Sequence, residues 1–370
     1  MQKNDLISRI GFEIELLAPK GKSRRDLAEA IANFFNGTIK RVFHPQAEPT
    51  YIPNNPTFEN LTLGFKIYSS SHELIGFCLD DLTLQADLDK AEGPKDNWYR
   101  IVSDDSRLLQ LVLCQVDAEL TITNVLTKIA DLYHTTVQSD NSGMKRVVDQ
   151  NHQSIVIAAP LPGERERACE LITAPIKYEH QDQLNALFNI AKSLNFTIPS
   201  EGATHLHFEA FEFHSAHIIR NIVNLFGTYD ELLMVLFKTN HKCIRLGRWH
   251  QSIFELVEKP WFPTLSWEQV KDEFKRLPLT KYCNYNLINI IHDIQEKPTF
   301  EVRILPSTLD PFEITCAASV IETLLLMARS SMSYRQTLPI STNKENIDQF
   351  LTTLNISESI RQFYLRNSSI

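Results

Sequence analysis

The sequence predicts an α+β protein whose sheet is largely antiparallel, with a polar concave face on one side and helices backing the other. Several short segments alternate apolar and polar residues, which is the pattern of a strand with one buried and one polar face. Helical segments lie among these strands in irregular order, which favours the α+β class. The clearest strand lies within 299–311, where Glu301 and Arg303 share the polar face and Pro306 and Pro311 mark its end.

The first half of the chain is predicted to contain strands, helices and two loops. A strand lies within 7–17, and a helix capped by Ser23 stops at Gly37. The other expected elements are a Pro- and Asn-rich loop at 44–62, strands near 64–69 and 98–102, a strand at 107–116, an amphipathic helix at 122–134 and a mobile loop at 139–153.

The second half continues this mixture, with no internal repeat and no low-complexity linker, so we expect one domain. Arg245 and Arg248 fall on a predicted loop at 240–263. The expected elements are strands at 154–159, 168–175, 202–210 and 299–304, helices at 181–194, 215–239, 267–276 and 310–332, and two short helices at the end of the chain.

Composition and charge exclude several classes of protein. The chain has 370 residues, of which 43% are hydrophobic, as in an ordinary globular protein. The formal net charge of -8 leaves no excess of Lys and Arg to neutralise phosphates, so we expect no nonspecific nucleic-acid binding. The first residues lead into no apolar signal core, and we expect no segment that spans a bilayer.

The six cysteines are scattered and form no Cys-x-x-Cys motif. Cys114 and Cys316 lie in apolar surroundings, as structural thiols do. This pattern favours reduced thiols in a cytoplasmic protein.

Polar residues recur on one face of four predicted strands. A sheet face open to solvent would explain any one of these strands taken alone. A surface face, however, usually mixes Lys, Thr, Ser and Gln with acids, whereas carboxylates, a histidine pair and one arginine recur here. Several carboxylates on one concave face repel each other unless cations neutralise them. The residues are Glu13, Glu15, Glu170, His205, His207, Glu301 and Arg303.

The spacing and chemistry of these residues suit divalent metals. Side chains two apart on a strand are roughly 6–7 Å apart at their origins, so Glu13 and Glu15 can serve different ions. Carboxylate oxygens with one imidazole favour Mg²⁺ or Mn²⁺ over a metal that prefers thiolates. His205 and His207 share a face, and His207 is either a second group at the site or a packed neighbour.

Several short motifs occur in a defined order along the chain. They are Gly-Phe-Glu-Ile-Glu (11–15), Trp98…Asp104-Asp-Ser106, Glu-Leu-Ile-Thr-Ala-Pro (170–175), His-Leu-His (205–207) and Tyr282…Asn286-Leu-Ile-Asn…Thr299-Phe-Glu-Val-Arg…Thr308-Leu-Asp-Pro311. This ordered set resembles the motifs of the putative amidoligase family, whose members are carboxylate–amine ligases with a glutamine synthetase-like fold. The resemblance implies a single catalytic domain of that fold over residues 1–370.

The chain departs from the family pattern at several positions. Asp105 and Ser307 stand where the family usually has glycine, and the glycine near the His-x-His strand is Gly202. The segment between Ser106 and Glu170 is longer than in the family, which indicates an insertion around 107–165. Helices from about residue 310 would complete the domain. These departures concern the substrate more than the metal ligands, all of which are present.

The resemblance implies ATP-dependent formation of an amide or isopeptide bond through an acyl phosphate. By similarity, Glu13, His205 and Glu301 would hold one Mg²⁺ or Mn²⁺ near the ATP phosphates, where His207 and Arg303 would also contact the nucleotide. Glu15 and Glu170 would hold a second ion near the carboxylate that is activated. Arg303 would neutralise the transferring phosphoryl group, which needs alignment and charge neutralisation more than covalent help.

The resemblance also suggests residues that bind substrate. Arg245 or Arg248 would act on the phosphoryl group or hold the acid, although solvated loop arginines explain each one equally well. Asp104 and Asn286 are candidate substrate contacts. The substrates would be a small-molecule or peptide carboxylate and an amine or ammonia. The sequence leaves the identity of both substrates and the oligomeric state open.

Two other classes of protein remain as alternatives. A metal-dependent phosphohydrolase would use the same carboxylates with water as the nucleophile. A non-catalytic binding protein of the same fold is the other alternative, and the complete set of ligands speaks against it. The chain has no Gly-x-x-x-x-Gly-Lys motif, so the expectation of ATP rests on the resemblance alone.

Overall fold

The computed structural model has an α+β fold with a large antiparallel sheet, which confirms the predicted class. It describes residues 6–52, 55–243, 245–294, 297–335 and 341–367. Within these ranges the chain forms twelve strands and eleven α-helices.

The strands are β1 (Ile10–Leu17), β2 (Thr38–Ile52), β3 (Asn55–Tyr68), β4 (Leu74–Leu79), β5 (Pro94–Val102), β6 (Gln138–Ser139), β7 (Lys145–Val148), β8 (Ser154–Pro162), β9 (Ala168–Thr173), β10 (Ala203–Glu209), β11 (Tyr285–Asn286) and β12 (Thr299–Pro306). The helices are α1 (Arg24–Phe34), α2 (Ser106–Gln115), α3 (Ile122–Leu132), α4 (His180–Ser193), α5 (Ala216–Leu236), α6 (Gln251–Val257), α7 (Trp267–Lys275), α8 (Ile288–Ile291), α9 (Pro311–Ala328), α10 (Lys344–Thr353) and α11 (Glu358–Asn367).

The chain divides into two compact units, and the division falls within β1. Glu13 therefore belongs to one unit and Glu15 to the other. The predicted single catalytic domain with an insertion around 107–165 stays a prediction, because these units are defined by packing and not by function. Unit A comprises Met1–Ile14, Pro175–Phe188 and Glu201–Ile370, and unit B comprises Glu15–Ala174 and Asn189–Ser200.

In unit A the strand order is β11-β12-β10-β1, and each pairing is antiparallel. Helix α5 packs on one face of this sheet through Phe226, whose ring centroid lies 5.1 Å from that of Phe300 and 4.8 Å from that of Tyr285. Successive side chains of a strand point to opposite faces. The neighbours of these rings, Glu301 and Asn286, therefore lie on the face away from α5.

Helix α9 packs against α5, and most of its residues are buried. Asp310 caps its first turn and Pro311 occupies its first position, both favourable at a helix start. Among the described helices, α9 alone is long and apolar enough to cross a membrane. This finding qualifies the expectation that the chain has no segment able to span a bilayer. Because 67% of α9 is buried inside the structure, it resembles the core helices that pass the same test.

In unit B the strand order is β9-β4-β3-β5-β8-β7-β6, and β2 pairs with β3. Helices α2 and α3 supply Leu109, Val112 and Leu126 to a buried core that also contains Ile101 of β5. Helix α1 begins as predicted, because the Ser23 side chain and the Asp26 backbone N–H form one half of a capping box. The other half is the Asp26 carboxylate, which accepts from the Ser23 N–H.

Two predicted loops are wrong. Residues 44–52 and 55–62 belong to β2 and β3, which pair with Phe43 opposite Leu63 and Pro45 opposite Leu61, and the other two residues of the predicted loop, 53 and 54, lie outside the described residues. The prolines misled the prediction, but β2 pairs only with β3 in the described part of the chain, and an edge strand tolerates proline. Residues 139–153 contain the end of β6 and all of β7, which form a second hairpin.

The predicted strand at 107–116 is also wrong, because these residues form helix α2. The Asp105 carboxylate caps the helix by accepting from the Arg107 N–H at 3.0 Å. Leu108, Leu109 and Val112 are buried at helical spacing. In the predicted loop at 240–263, Arg245 and Arg248 do lie outside regular structure, but α6 follows them. The other predicted strands and helices are present with shifted ends.

The β4–β9 pairing of unit B depends on a close backbone approach at Gly76. A Cβ atom at this position would lie 2.4 Å from the backbone oxygen of Ile172 on β9. We expect Gly76→Ala to destabilise the protein by about 1–3 kcal/mol, the usual cost of overpacking, as measured by urea denaturation. Gly93→Ala is the control, since its Cβ would meet nothing within 4 Å. Equal stability of the two variants would contradict this account of the pairing.

Candidate metal-binding and catalytic site

The first candidate site lies on neighbouring strands of unit A, and we call it the His205 cluster. It consists of Glu13, His205, His207, Glu301 and Arg303. Strand β10 lies between β1 and β12, and the register sets Glu13 opposite His205 and His207 opposite Glu301. The two carboxylates and both imidazoles are buried. The structure thus brings together all the predicted site residues on these three strands except Glu15, which lies on β1 in unit B.

A β-bulge shapes the cluster. The register of β10 with β12 shifts between Thr204 and Leu206, which pair with Leu305 and Val302. Two residues of β12 therefore lie across from His205, and one of them is Arg303. Bulges are common beside active sites because they re-aim a side chain.

Glu13 is the centre of the polar contacts on β1. Its Oε1 atom lies 2.7 Å from Nδ1 of His205, and its Oε2 atom lies 3.4 Å from Nε2 of His207. Lys297 places its Nζ 3.5 Å from the same Oε2 atom. Lys297 was missed in the sequence because it lies in a loop before β12, where no pattern distinguishes it from a solvated lysine.

Glu301 is held by two donors. Nη1 of Arg303 donates to Oε1 of Glu301 at 2.6 Å, and Nδ2 of Asn286 donates to Oε2 at 2.7 Å. His205 lies farther off, with Nδ1 at 3.7 Å from Oε1. Asn286 therefore orients a candidate ligand, as residues around metal sites commonly do. Its predicted contact with substrate stays a prediction.

The charges of the cluster suit cation binding. Burial by itself raises the pKa of Glu301, but Arg303, His207 and His205 bring it down to about 2. Burial likewise opposes ionisation of Glu13, yet Lys297 and His205 hold its pKa well below the usual range. Burial and the charge of Arg303 lower the pKa of His205. Two ionised carboxylates and a neutral imidazole are the protonation states that a metal ion requires.

The second candidate site lies in unit B, and we call it the Glu15 cluster. It consists of Glu15, Asp81 and Glu170, each of which offers one oxygen within 4.8 Å of the others. Glu15 and Asp81 are buried, and Glu170 is half-buried. The cluster contains both residues that the family resemblance assigned to a second metal.

Asp81 is the member of the Glu15 cluster that sequence reasoning missed. It follows β4, whose residue Leu79 pairs with Glu170 of β9, and only this pairing brings it near Glu170. An Asp-Asp pair directly after an apolar strand was the one available signal. Oδ1 of Asp81 accepts from the N–H of Thr83 at 2.7 Å, and Oδ2 accepts from the Thr83 hydroxyl at 2.6 Å.

Both clusters fit a divalent cation by the chemistry of their donors. Three carboxylates within 4.8 Å repel one another, and a divalent cation between them would neutralise that charge. Oxygen ligands alone favour Mg²⁺, Ca²⁺ or Mn²⁺, and the added imidazole of the His205 cluster is compatible with Mg²⁺ or Mn²⁺.

The remaining predicted site residues lie elsewhere. Arg248 pairs with Asp230, Nε to Oδ2 at 3.0 Å, and with Glu231 at 3.4 Å. Arg245 lies over the ring of Tyr282, 5.4 Å from its centroid. Asp104 is exposed in unit B, between β5 and α2. The contacts described for these three residues involve neither cluster, and their roles stay predictions.

The low pKa of Glu301 makes stability depend on pH. A carboxyl group with a depressed folded-state pKa stabilises the protein above its unfolded-state pKa, and this contribution is lost as the pH falls through the folded-state value. We expect Glu301→Gln to be less stable than wild type near neutral pH. The difference should shrink between pH 4.5, the ordinary value, and about pH 2. Urea denaturation at a series of pH values measures it.

The control for this experiment is Glu29→Gln, which removes an exposed ion pair with Arg25. Exposed pairs contribute at most about 1 kcal/mol, so little stability should be lost. A Glu301→Gln difference that stays constant down to pH 2 would show that Glu301 is not held ionised by its neighbours.

Comparison with known proteins identifies the family. No curated protein matches the chain. The model of the family described as "putative amidoligase enzyme" matches residues 6–324, which include both clusters. The match covers most of the chain and confirms the resemblance found in the motifs, so the chain belongs to the putative amidoligase family.

Proposed function

We propose that the protein is an ATP-dependent carboxylate–amine ligase that forms an amide or isopeptide bond through an acyl phosphate. Membership of the amidoligase family indicates an amide-forming ligase in general. The observation that carries the finer proposal is the His205 cluster, a buried set of carboxylates and imidazoles with an arginine bonded to one ligand. Such a set suits phosphoryl transfer, which depends on positioning and charge neutralisation. The proposal includes a glutamine synthetase-like fold.

Glu13, His205 and Glu301 would hold one Mg²⁺ or Mn²⁺ at the ATP phosphates. Asn286 supports this role, because its amide fixes one Glu301 oxygen and leaves the carboxylate little freedom to rotate. His207 contacts Glu13 and would help to orient it or reach the nucleotide. A bound divalent cation would neutralise phosphate charge and align the transferring group.

Glu15, Glu170 and Asp81 would hold a second cation, at the carboxylate that is activated. The resemblance supplies the first two residues, and the geometry adds Asp81. Arg303 would neutralise the transferring phosphoryl group. Its resting bond to Glu301 keeps the guanidinium on the same face as the other ligands.

The proposed reaction has two steps. A carboxylate oxygen of the acid takes the γ-phosphoryl group of ATP, and ADP leaves. The amine nitrogen then attacks the acyl carbon. The bond between this carbon and the phosphate oxygen breaks, so that phosphate leaves, and the nitrogen loses a proton. The acid is a small molecule or a peptide, and the attacking group is an amine or ammonia. We place the reaction in the cytoplasm, which agrees with six free cysteines.

The first test concerns the cation. A cation that binds only the folded protein stabilises it by about 2.7 kcal/mol at a hundredfold excess over its Kd. We therefore expect Mn²⁺ and Mg²⁺ to raise the Tm of the wild type, and Glu301→Gln to lose much of that increase. Differential scanning calorimetry measures both.

Glu258→Gln is the matched control for the cation test. Glu258 is also a carboxylate of unit A that accepts from an asparagine and pairs with an arginine, but it lies outside both clusters. It should keep the full increase in Tm. If Glu301→Gln keeps it too, Glu301 is not a ligand.

The second test concerns the reaction. Protein, ATP and Mg²⁺ are incubated with pools of acids, peptides and amines while ADP and product masses are followed. We expect ADP to appear in step with an amide, and only when both an acid and an amine are present. Arg303→Lys should lower this turnover by roughly three to five orders of magnitude, because lysine lacks the planar guanidinium that binds two phosphate oxygens at once. Nucleotide affinity should change much less.

Arg220→Lys is the control for Arg303→Lys, since the two arginine side chains are 14% and 13% exposed and each pairs with a glutamate. It should keep normal turnover. Phosphate release at full rate with neither acid nor amine would instead identify a phosphohydrolase. Cation and nucleotide binding without turnover of any pool would favour the non-catalytic binding protein.

A further inference from the structure

The turn that carries Asp81 is held by a buried ion pair of unit B. Asp80 is fully buried, and Nη2 of Arg165 lies 2.6 Å from its Oδ1 atom. Arg24, also fully buried, lies on the other side, with Nη2 3.6 Å from Oδ2. Two arginines thus surround the residue that immediately precedes the Asp81 ligand.

Arg165 also binds the backbone of the same turn at two points. Its Nη1 atom donates to the carbonyl oxygen of Leu84 at 2.5 Å, and its Nη2 atom donates to the carbonyl oxygen of Asp81. The turn is closed by a hydrogen bond from the Leu84 N–H to the same Asp81 oxygen, at 3.2 Å. One guanidinium therefore fixes both ends of residues 80–84.

The position of Arg165 in the chain ties this turn to another ligand. Arg165 lies in a short 3₁₀ helix, Gly163–Glu166, which directly precedes β9, the strand that carries Glu170. Arg24 fixes this segment, because its Nη1 atom donates to the carbonyl oxygen of Arg165 at 2.7 Å. The side chain of Arg165 holds Asp81, while its backbone leads to Glu170.

A buried ion pair of this kind is poorly explained by stability alone. Removing charges from water costs several kcal/mol per ion, and apolar residues of similar volume often stabilise a core at least as well. A planar guanidinium, however, fixes several acceptors in one geometry, which lysine does not. Arg165 makes three hydrogen bonds to one turn, and together they fix the geometry of that turn.

We propose that Arg165 is a positioning residue that presents the Asp81 carboxylate to the cation bound with Glu15 and Glu170. Arg165 does not contact the cation itself. This role rests on the proposed function, because it requires a cation at the Glu15 cluster. Loss of such a supporting residue typically weakens metal binding by roughly 10–100-fold.

The test measures Mn²⁺ affinity by isothermal titration calorimetry in Glu301→Gln protein, so that binding reports on the Glu15 cluster. Adding Arg165→Lys keeps the positive charge but removes the planar guanidinium and its several donors. This change should weaken binding by roughly 10–100-fold. Arg41→Lys is the control. Arg41 is also an arginine of unit B whose guanidinium donates to a backbone oxygen, that of Asn97 at 2.7 Å, and its described contacts reach neither residues 80–84 nor the Glu15 cluster. It should keep Mn²⁺ affinity within about threefold.

A second measurement needs no variant. If Arg165 holds the turn in advance, the N–H groups of Thr83 and Leu84 should be protected from hydrogen exchange before Mn²⁺ is added. Exchange at the rate of an unstructured chain until Mn²⁺ binds would overturn the positioning role. So would equal Mn²⁺ affinities of the two lysine variants.

The outcomes separate this inference from the proposed function. If Glu301→Gln protein binds no Mn²⁺, the cation site of the Glu15 cluster is wrong, and the positioning role falls with it. If Mn²⁺ binds and Asp81→Asn weakens it while Arg165→Lys does not, the site stands and only the role of Arg165 is overturned.

Discussion

The register of β1, β10 and β12 is the constraint on which the His205 cluster depends. It sets Glu13 opposite His205 and His207 opposite Glu301 in a buried sheet face, where an uncompensated carboxylate would cost several kcal/mol. A slip of one residue in any one of these strands would send that strand's cluster residues to the face that α5 covers. The apolar residues between them, such as Leu206 and Phe300, are fully buried and make such a slip costly.

Charge balance suggests how this cluster would accept its ligand. Arg303 forms an ion pair with Glu301, and Lys297 forms one with Glu13. Two positively charged side chains therefore already offset the two carboxylates. A divalent cation that binds alone competes with Arg303 and Lys297 for these carboxylates, which weakens its binding. A cation that arrives with phosphate groups brings its own negative charge, and Arg303 and Lys297 can then turn from the carboxylates to the phosphates. The resting ion pairs are therefore consistent with a metal–nucleotide complex as the ligand.

The sequence predicted what depends on local pattern and missed what depends on pairing between distant segments. Alternation along single strands was sufficient to find Glu13, His205 and Glu301 on polar faces. Asp81 lies in a turn after β4, and nothing local shows that the pairing of Leu79 with Glu170 brings it beside β9. Helix α2 was predicted as a strand because its leucines and valines suit both structures, and its cap at Asp105 decides the outcome.

The two clusters use different means to hold their carboxylates. In the His205 cluster the supporting groups, Asn286 and Arg303, bond directly to a candidate ligand. In the Glu15 cluster Arg165 instead bonds to Asp80 and to backbone oxygens, while Thr83 donates to the Asp81 carboxylate. An arginine bonded to the Asp81 carboxylate itself would compete with a cation for the same lone pairs. A guanidinium one residue away can fix the geometry of the ligand without reducing its affinity for a cation.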